Sequence, residues 1–202
     1  MAAQTAIDIC NASLALLGEP PITGFNDQTN AEKQCELLYG MSKDAVLRGH
    51  PWNCAEKSAI LAALVETPPF EFDAVYQLPT DCIRALRLYE TAEPWRIVAG
   101  RKLATSASPV QLIYTAAITS VPQMDAQLVQ AIIYHLAAQM AVVLPNKASM
   151  HAQLMQAFEN VLRNARSADG QEGTPLVLSR QDAFKNARTS YRGSWLNRPW
   201  WR

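Results

Sequence analysis

Ala6, Ile9, Cys10, Leu14 and Leu17 recur at spacings of three and four, which predicts an amphipathic helix from Thr5 to Leu17 with its stop at Gly18 ahead of Glu19-Pro20-Pro21. After a polar loop, Thr29-Asn30-Ala31-Glu32 has the pattern of a capping box, in which the hydroxyl and the carboxylate each engage a backbone N–H left unpaired by the first helical turn. A second helix is expected there. Ala31, Cys35, Leu38, Ala45 and Val46 give it a continuous apolar face until Gly49-His50-Pro51, where proline ends the hydrogen-bond ladder. Trp52 to Leu64 reads as a shorter third helix.

After Thr67-Pro68-Pro69 the texture changes. The runs Phe72 to Leu78, Cys82 to Tyr89, Trp95 to Val98 and Val110 to Thr115 alternate or cluster β-forming residues, which predicts strands of a small antiparallel sheet. Leu78-Pro79-Thr80-Asp81 reads as a turn, Ala99-Gly100-Arg101-Lys102 as a hairpin tip and Ser106-Ala107-Ser108-Pro109 as a connection. From about Asp125 the helical period returns. Leu128, Ile132, Leu136, Met140 and Val143 form the stripe of a fourth helix closed by Leu144-Pro145-Asn146. His151, Leu154, Met155, Phe158, Val161, Leu162 and Ala165 form that of a fifth, ending near Asp169-Gly170. A short connection makes these two an antiparallel hairpin. The expected fold is α+β and mainly α: a discontinuous helical body (1–66 and 121–172), an inserted antiparallel β-subdomain (67–120) and an extended C-terminal arm (173–202).

Beyond Gly173 no periodic face is visible, yet nine large apolar side chains (Leu176, Val177, Leu178, Phe184, Tyr191, Trp195, Leu196, Trp200 and Trp201) stand among basic residues. Three of the five tryptophans fall in the last eight positions, and Trp, Tyr and Arg are the types enriched at interface hot spots. This composition gains by burial, so the segment reads as a docking arm and not as a solvated tail. Its candidate contact residues are Arg180, Phe184, Lys185, Arg188, Tyr191, Arg192, Trp195, Leu196, Arg198, Trp200, Trp201 and Arg202. From Leu176 onward six basic residues face Asp182 alone, a balance of +5, and because the whole chain is neutral the remainder carries −5.

The composition, 49% hydrophobic and 18% charged, fits a globular protein with a low charge density. Cys10, Cys35, Cys54 and Cys82 form no C-x-x-C pair, so they read as buried free thiols and not as a metal knuckle or disulfide framework. The eight glycines are scattered, which leaves a phosphate-binding loop without support. No run reaches the roughly 18 apolar residues of a membrane span, and the first residues lack the pattern of a signal peptide. The chain therefore reads as soluble and cytoplasmic.

Three landmarks in order, Ile9-Cys10-Asn11-Ala12-Ser13-Leu14-Ala15-Leu16-Leu17-Gly18, then Val46-Leu47-Arg48-Gly49-His50-Pro51-Trp52-Asn53-Cys54-Ala55, then Tyr76-Gln77-Leu78-Pro79-Thr80-Asp81-Cys82, resemble the podovirus tail tubular protein A family. The Ala- and Leu-rich helix pair and Ala165-Arg166-Ser167-Ala168-Asp169-Gly170-Gln171-Glu172-Gly173 extend the likeness. His50-Pro51-Trp52-Asn53 is the most specific block. Cys54 departs from the family, which often carries an aromatic residue there. The resemblance implies a non-enzymatic head-to-tail adaptor in the virion: a helical body with an inserted β-subdomain, a homo-oligomeric ring of about twelve copies, a portal protein ring above, a tail nozzle below, and viral DNA passing through without specific binding. No cofactor, metal or membrane is implied.

The residues themselves are compatible with that picture. A ring subunit must offer two different patches to its neighbours, which suits apolar helix positions such as Leu37, Met41 and Leu47 beside Leu38 and Val46. A body at −5 suits a conduit that does not grip phosphates. Trp52 is expected to anchor the second and third helices in the core, with Pro51 setting the chain direction and Leu78-Pro79 as further structural positions. Arg84 and Arg87, and Arg101-Lys102 at the hairpin tip, are expected to be solvated or paired between subunits. His135 and His151 could face each other, but two histidines lack the third ligand of a metal site. The alternative function is a nucleic-acid-binding module acting through the basic aromatic tail. A small hydrolase built on Cys54 or a histidine is a second rival; Cys54 with His50 could suggest a thiol nucleophile and its base, and core packing is the plainer reading.

Overall fold

In the computed structural model, which describes residues 5–25, 29–66, 68, 71–98, 101–144 and 148–173, the first helix, α1 (Ala6–Leu17), begins at a capping box on Thr5 and Asp8. It ends at Gly18, whose φ of 74° only glycine adopts without strain. The predicted capping box of the second helix, α2 (Asn30–Arg48), is present: Thr29 Oγ1 accepts from the Glu32 N–H at 3.2 Å and Glu32 Oε2 accepts from the Thr29 N–H at 3.3 Å.

The third helix is a correction. Trp52 leads into one 3₁₀ turn (Asn53–Ala55), and the chain then extends as β1 (Glu56–Leu61). Its local sequence is neutral between the two states, so the partner decides. β1 pairs antiparallel with β6 (Val110–Ala116), from Glu56 opposite Thr115 to Leu61 opposite Val110. That pairing turns Ala59 and Leu61 toward the β core and leaves Ile60 exposed. The strand-forming stretch therefore opens at Glu56, ahead of residue 67.

The remaining strands are β2 (Ala74–Gln77), β3 (Cys82–Leu88), β4 (Trp95–Val98) and β5 (Lys102–Thr105). They form two three-stranded antiparallel sheets instead of the single one expected, ordered β1-β6-β3 and β2-β5-β4. β5 is absent from the sequence reading. Lys102, assigned to a hairpin tip, begins this strand, while Arg101 holds the turn with φ of 58°. Leu103, Ala104 and Thr105 are all buried, so the strand lacks the polar alternation by which a half-exposed strand is recognised.

The last two helices are α3 (Ala126–Met140), capped by the Asp125 carboxylate, and α4 (Ala148–Asp169). Val143, counted on the α3 stripe, lies beyond the helix end and is exposed. The fold is α+β and mainly α. Trp52, Ile9, Val46, Leu47, Leu128 and Ile132 form one core, Cys10, Leu14, Cys35, Leu136 and Met140 a second, and Leu103, Val110, Leu112 and Tyr114 the core of the sheets. The described residues up to Asp169 make one compact unit. Among the described residues no helix is long and apolar enough to cross a membrane.

Candidate docking surface

The block that follows α2 closes onto the last turn of α4. His50 Nε2 lies 3.0 Å from Asp169 Oδ2, the Asn53 backbone N–H donates to Asp169 Oδ1 at 2.9 Å, and Asn53 Nδ2 donates to the Asp169 carbonyl at 2.6 Å. In the reverse direction Arg166 Nη2 donates to the Gly49 carbonyl at 3.0 Å. The carbonyls of Gly49 and Asp169 are helix-end acceptors without an intrahelical partner, and each receives a side chain from the other segment. Trp52 sits beneath, with no exposed surface. Its indole N–H donates to the Val46 carbonyl at 3.1 Å, and its ring meets the His50 ring edge-on at 4.8 Å between centroids.

This clasp is the principal polar site of the folded unit, and most of it was not legible in the chain. Asp169 and Arg166 were read only as part of a helix end, since 116 to 119 residues separate the partners in sequence. Its place is informative: Asp169 is the last residue of the first compact unit, and the chain continues from it into residues 170–202. The docking-arm residues from Arg180 to Arg202 lie outside the described residues.

Of the four structural positions, Trp52 and Leu78 are buried and Pro79 is half-buried. Pro51 is exposed, a correction: it acts by ending α2, a backbone effect that needs no burial. Leu37 and Met41 are exposed, at 61% and 65%, as an unpartnered helix face requires. Leu47 does not belong with them. It is fully buried beside Val46, because α2 packs against both α3 and β3 and so hides a wider arc than one stripe.

Cys10, Cys35 and Cys82 are buried free thiols, whereas Cys54 is exposed, which corrects its placement in the core. The 3₁₀ turn leaves its side chain exposed. Partial desolvation, with the nearby Asp169 and Asp125 carboxylates, pushes the thiol above its ordinary range. A nucleophilic cysteine needs the opposite, an electropositive setting, and the His50 ring is committed to Asp169. Maleimide applied to the native chain is expected to label Cys54 alone, with the other three thiols reacting only after denaturation. Equal labelling of a second cysteine, read by peptide mass spectrometry, would contradict this placement.

His135 and His151 do not face each other as ligands. His135 packs edge-on against Phe158, and burial pushes its pKa down; His151 Nδ1 lies 2.7 Å from the Ala138 carbonyl. Among the described residues no group of three metal-ligating side chains occurs. Lys102 pairs with Glu66, and Arg101 donates to the carbonyls of Pro79, Thr80 and Cys82, which pins the turn before β3. No family model and no curated protein matches this chain.

Proposed function

We propose that the chain is a structural head-to-tail adaptor of a short-tailed bacteriophage, one subunit of a ring, dodecameric in the family it resembles, seated between a portal protein and a tail nozzle in the virion. It acts by geometry and multivalent docking and performs no chemistry. The supporting observation is the clasp: the block with the most specific resemblance, His50-Pro51-Trp52-Asn53, ties α2 to the residue from which the basic aromatic segment continues. Such a design fixes the helix end from which the chain runs on toward the docking segment. Many weak arm contacts around a ring sum to a tight seal.

The test is removal of everything after Ser179. The shortened chain is expected to keep the thermal transition of the full chain and to lose binding to its portal ring, read by electron microscopy of the mixture for density below the portal. Retained portal binding would overturn the docking role. Binding of free duplex or single-stranded DNA with a steep salt dependence, lost in the same truncation, would favour the nucleic-acid alternative.

A further inference from the structure

We propose that neighbouring copies of this chain join by seating the Arg48, Arg84 and Arg166 guanidinium groups of one copy in the cleft lined by Tyr89, Glu90 and Glu93 of the next. The inference rests on the ring reading and names the faces that meet. The three arginines converge on one spot, where the end of α2 meets β3: Arg48 Nη1 donates to the Ile83 carbonyl at 2.6 Å, Arg84 Nη1 to the Arg48 carbonyl at 3.3 Å, and Arg166 Nη2 to the Gly49 carbonyl at 3.0 Å. All three residues are exposed, and among the described residues none forms an ion pair. A guanidinium carries five N–H donors, so one backbone contact each holds the groups in place and leaves most donors facing outward. A concentrated positive spot on a body with net charge −5 calls for an acidic partner.

That partner chemistry stands at the far end of the same strand. Beyond β3 the chain turns through Glu90, at φ of 52°, and a cleft of about 440 Å³ opens there, lined by Tyr89, Glu90, Thr91, Glu93, Ser106 and Pro109 among others. Glu90 and Glu93 are exposed and form no ion pair among the described residues. Two carboxylates beside an aromatic ring suit a guanidinium, by charge-assisted hydrogen bonds and by stacking. Six residues along the strand direction put Glu90 about 20 Å from Arg84, beyond reach within one copy, and the one arginine of the same copy that acts on Tyr89 is Arg87, which forms no ion pair among the described residues. Two complementary patches displaced in this way allow a head-to-tail contact, which closes into a ring where the rotation from copy to copy permits, as the ring reading requires. A phosphate polymer is disfavoured, because the acidic body repels it and the carbonyl end of α2 points at the arginines.

The experiment uses full-length chains with their portal ring. Arg84→Glu with Arg166→Glu in one variant, and Glu90→Arg with Glu93→Arg in another, are each expected to weaken self-association by about tenfold or more. An equimolar mixture of the two variants should recover it, since every mixed interface again pairs opposite charges. Sedimentation velocity and electron microscopy read the outcome, and recovery in the mixture shows that both variants fold. Wild-type rings together with silent reversals, or no recovery in the mixture, would overturn this interface while leaving the adaptor reading intact. A wild-type chain that stays monomeric beside the portal would overturn both, and a loss of DNA binding without a change in self-association would reassign the arginines to phosphate.

Discussion

Trp52→Ala is expected to destabilise the folded unit by about 3–5 kcal/mol, the range for removing a fully buried large aromatic side chain. Trp52 has no exposed surface and packs among Ile9, Val46, Leu47, Leu128 and Ile132. The substitution opens a cavity under the junction of three helices, and it also removes the donor to the Val46 carbonyl at the end of α2. For a chain of this size the melting temperature should fall by roughly 6–20 °C. Trp52→Phe restores much of the volume but not the N–H, so it should recover most of the loss. Urea unfolding with unchanged slope and a lowered midpoint would establish the effect, and a midpoint equal to that of the unmodified chain would show that the tryptophan is not the keystone of this core.

Asp169→Ala should cost about 3 kcal/mol, because the substitution strands partners that the fold has already placed. The carboxylate is only 5% exposed, and it accepts from the Asn53 N–H while facing His50 Nε2. Removing it leaves one backbone donor and one imidazole nitrogen without an acceptor at the meeting point of α2 and α4. Asp169→Asn keeps an oxygen for the Asn53 N–H and turns an amide donor toward His50, whose Nε2 must then accept, so its cost should be smaller than that of alanine but not nil. Amide hydrogen exchange gives a local reading: protection at Asn53 and in the last turn of α4 is expected to drop more than protection in α1. Uniform loss across the unit, or none, would mean that the clasp does not hold this helix end.

The arginine and glutamate patches bear on the adaptor reading from another direction. The helix face of Leu37 and Met41 offers apolar area, but such a face sets no register. Arginines held at fixed points by backbone carbonyls and facing acidic groups do, since a misaligned neighbour would bring like charges together. Strong attraction is not required of them. A ring gains its stability from many repeated contacts, and each charged contact needs only to make the correct neighbour better than the wrong one.

Local chemistry settled much of this protein before any long-range contact formed. Thr29 and Glu32 satisfy each other within one turn, Gly18 supplies a left-handed residue, Pro51 removes a donor, and the stripe from Leu128 to Met140 needs only one side to face. The starts and stops of the first two helices and four of the six strands were legible because their signals lie within a few residues. The stretch after Trp52 was not, because its alanines and charged residues are neutral between helix and strand until β6 supplies an edge to pair with. β5 escaped for the related reason that burial on both faces erases the alternation that marks a strand. The clasp of His50 and Asn53 on Asp169, and the gathering of Arg48, Arg84 and Arg166 at one helix end, belong to the tertiary structure alone. Their partners lie 35 to 119 residues apart, and no spacing rule reaches that far: only the packing of α2 and α4 on α3, and of α2 on β3, brings such groups within hydrogen-bond range.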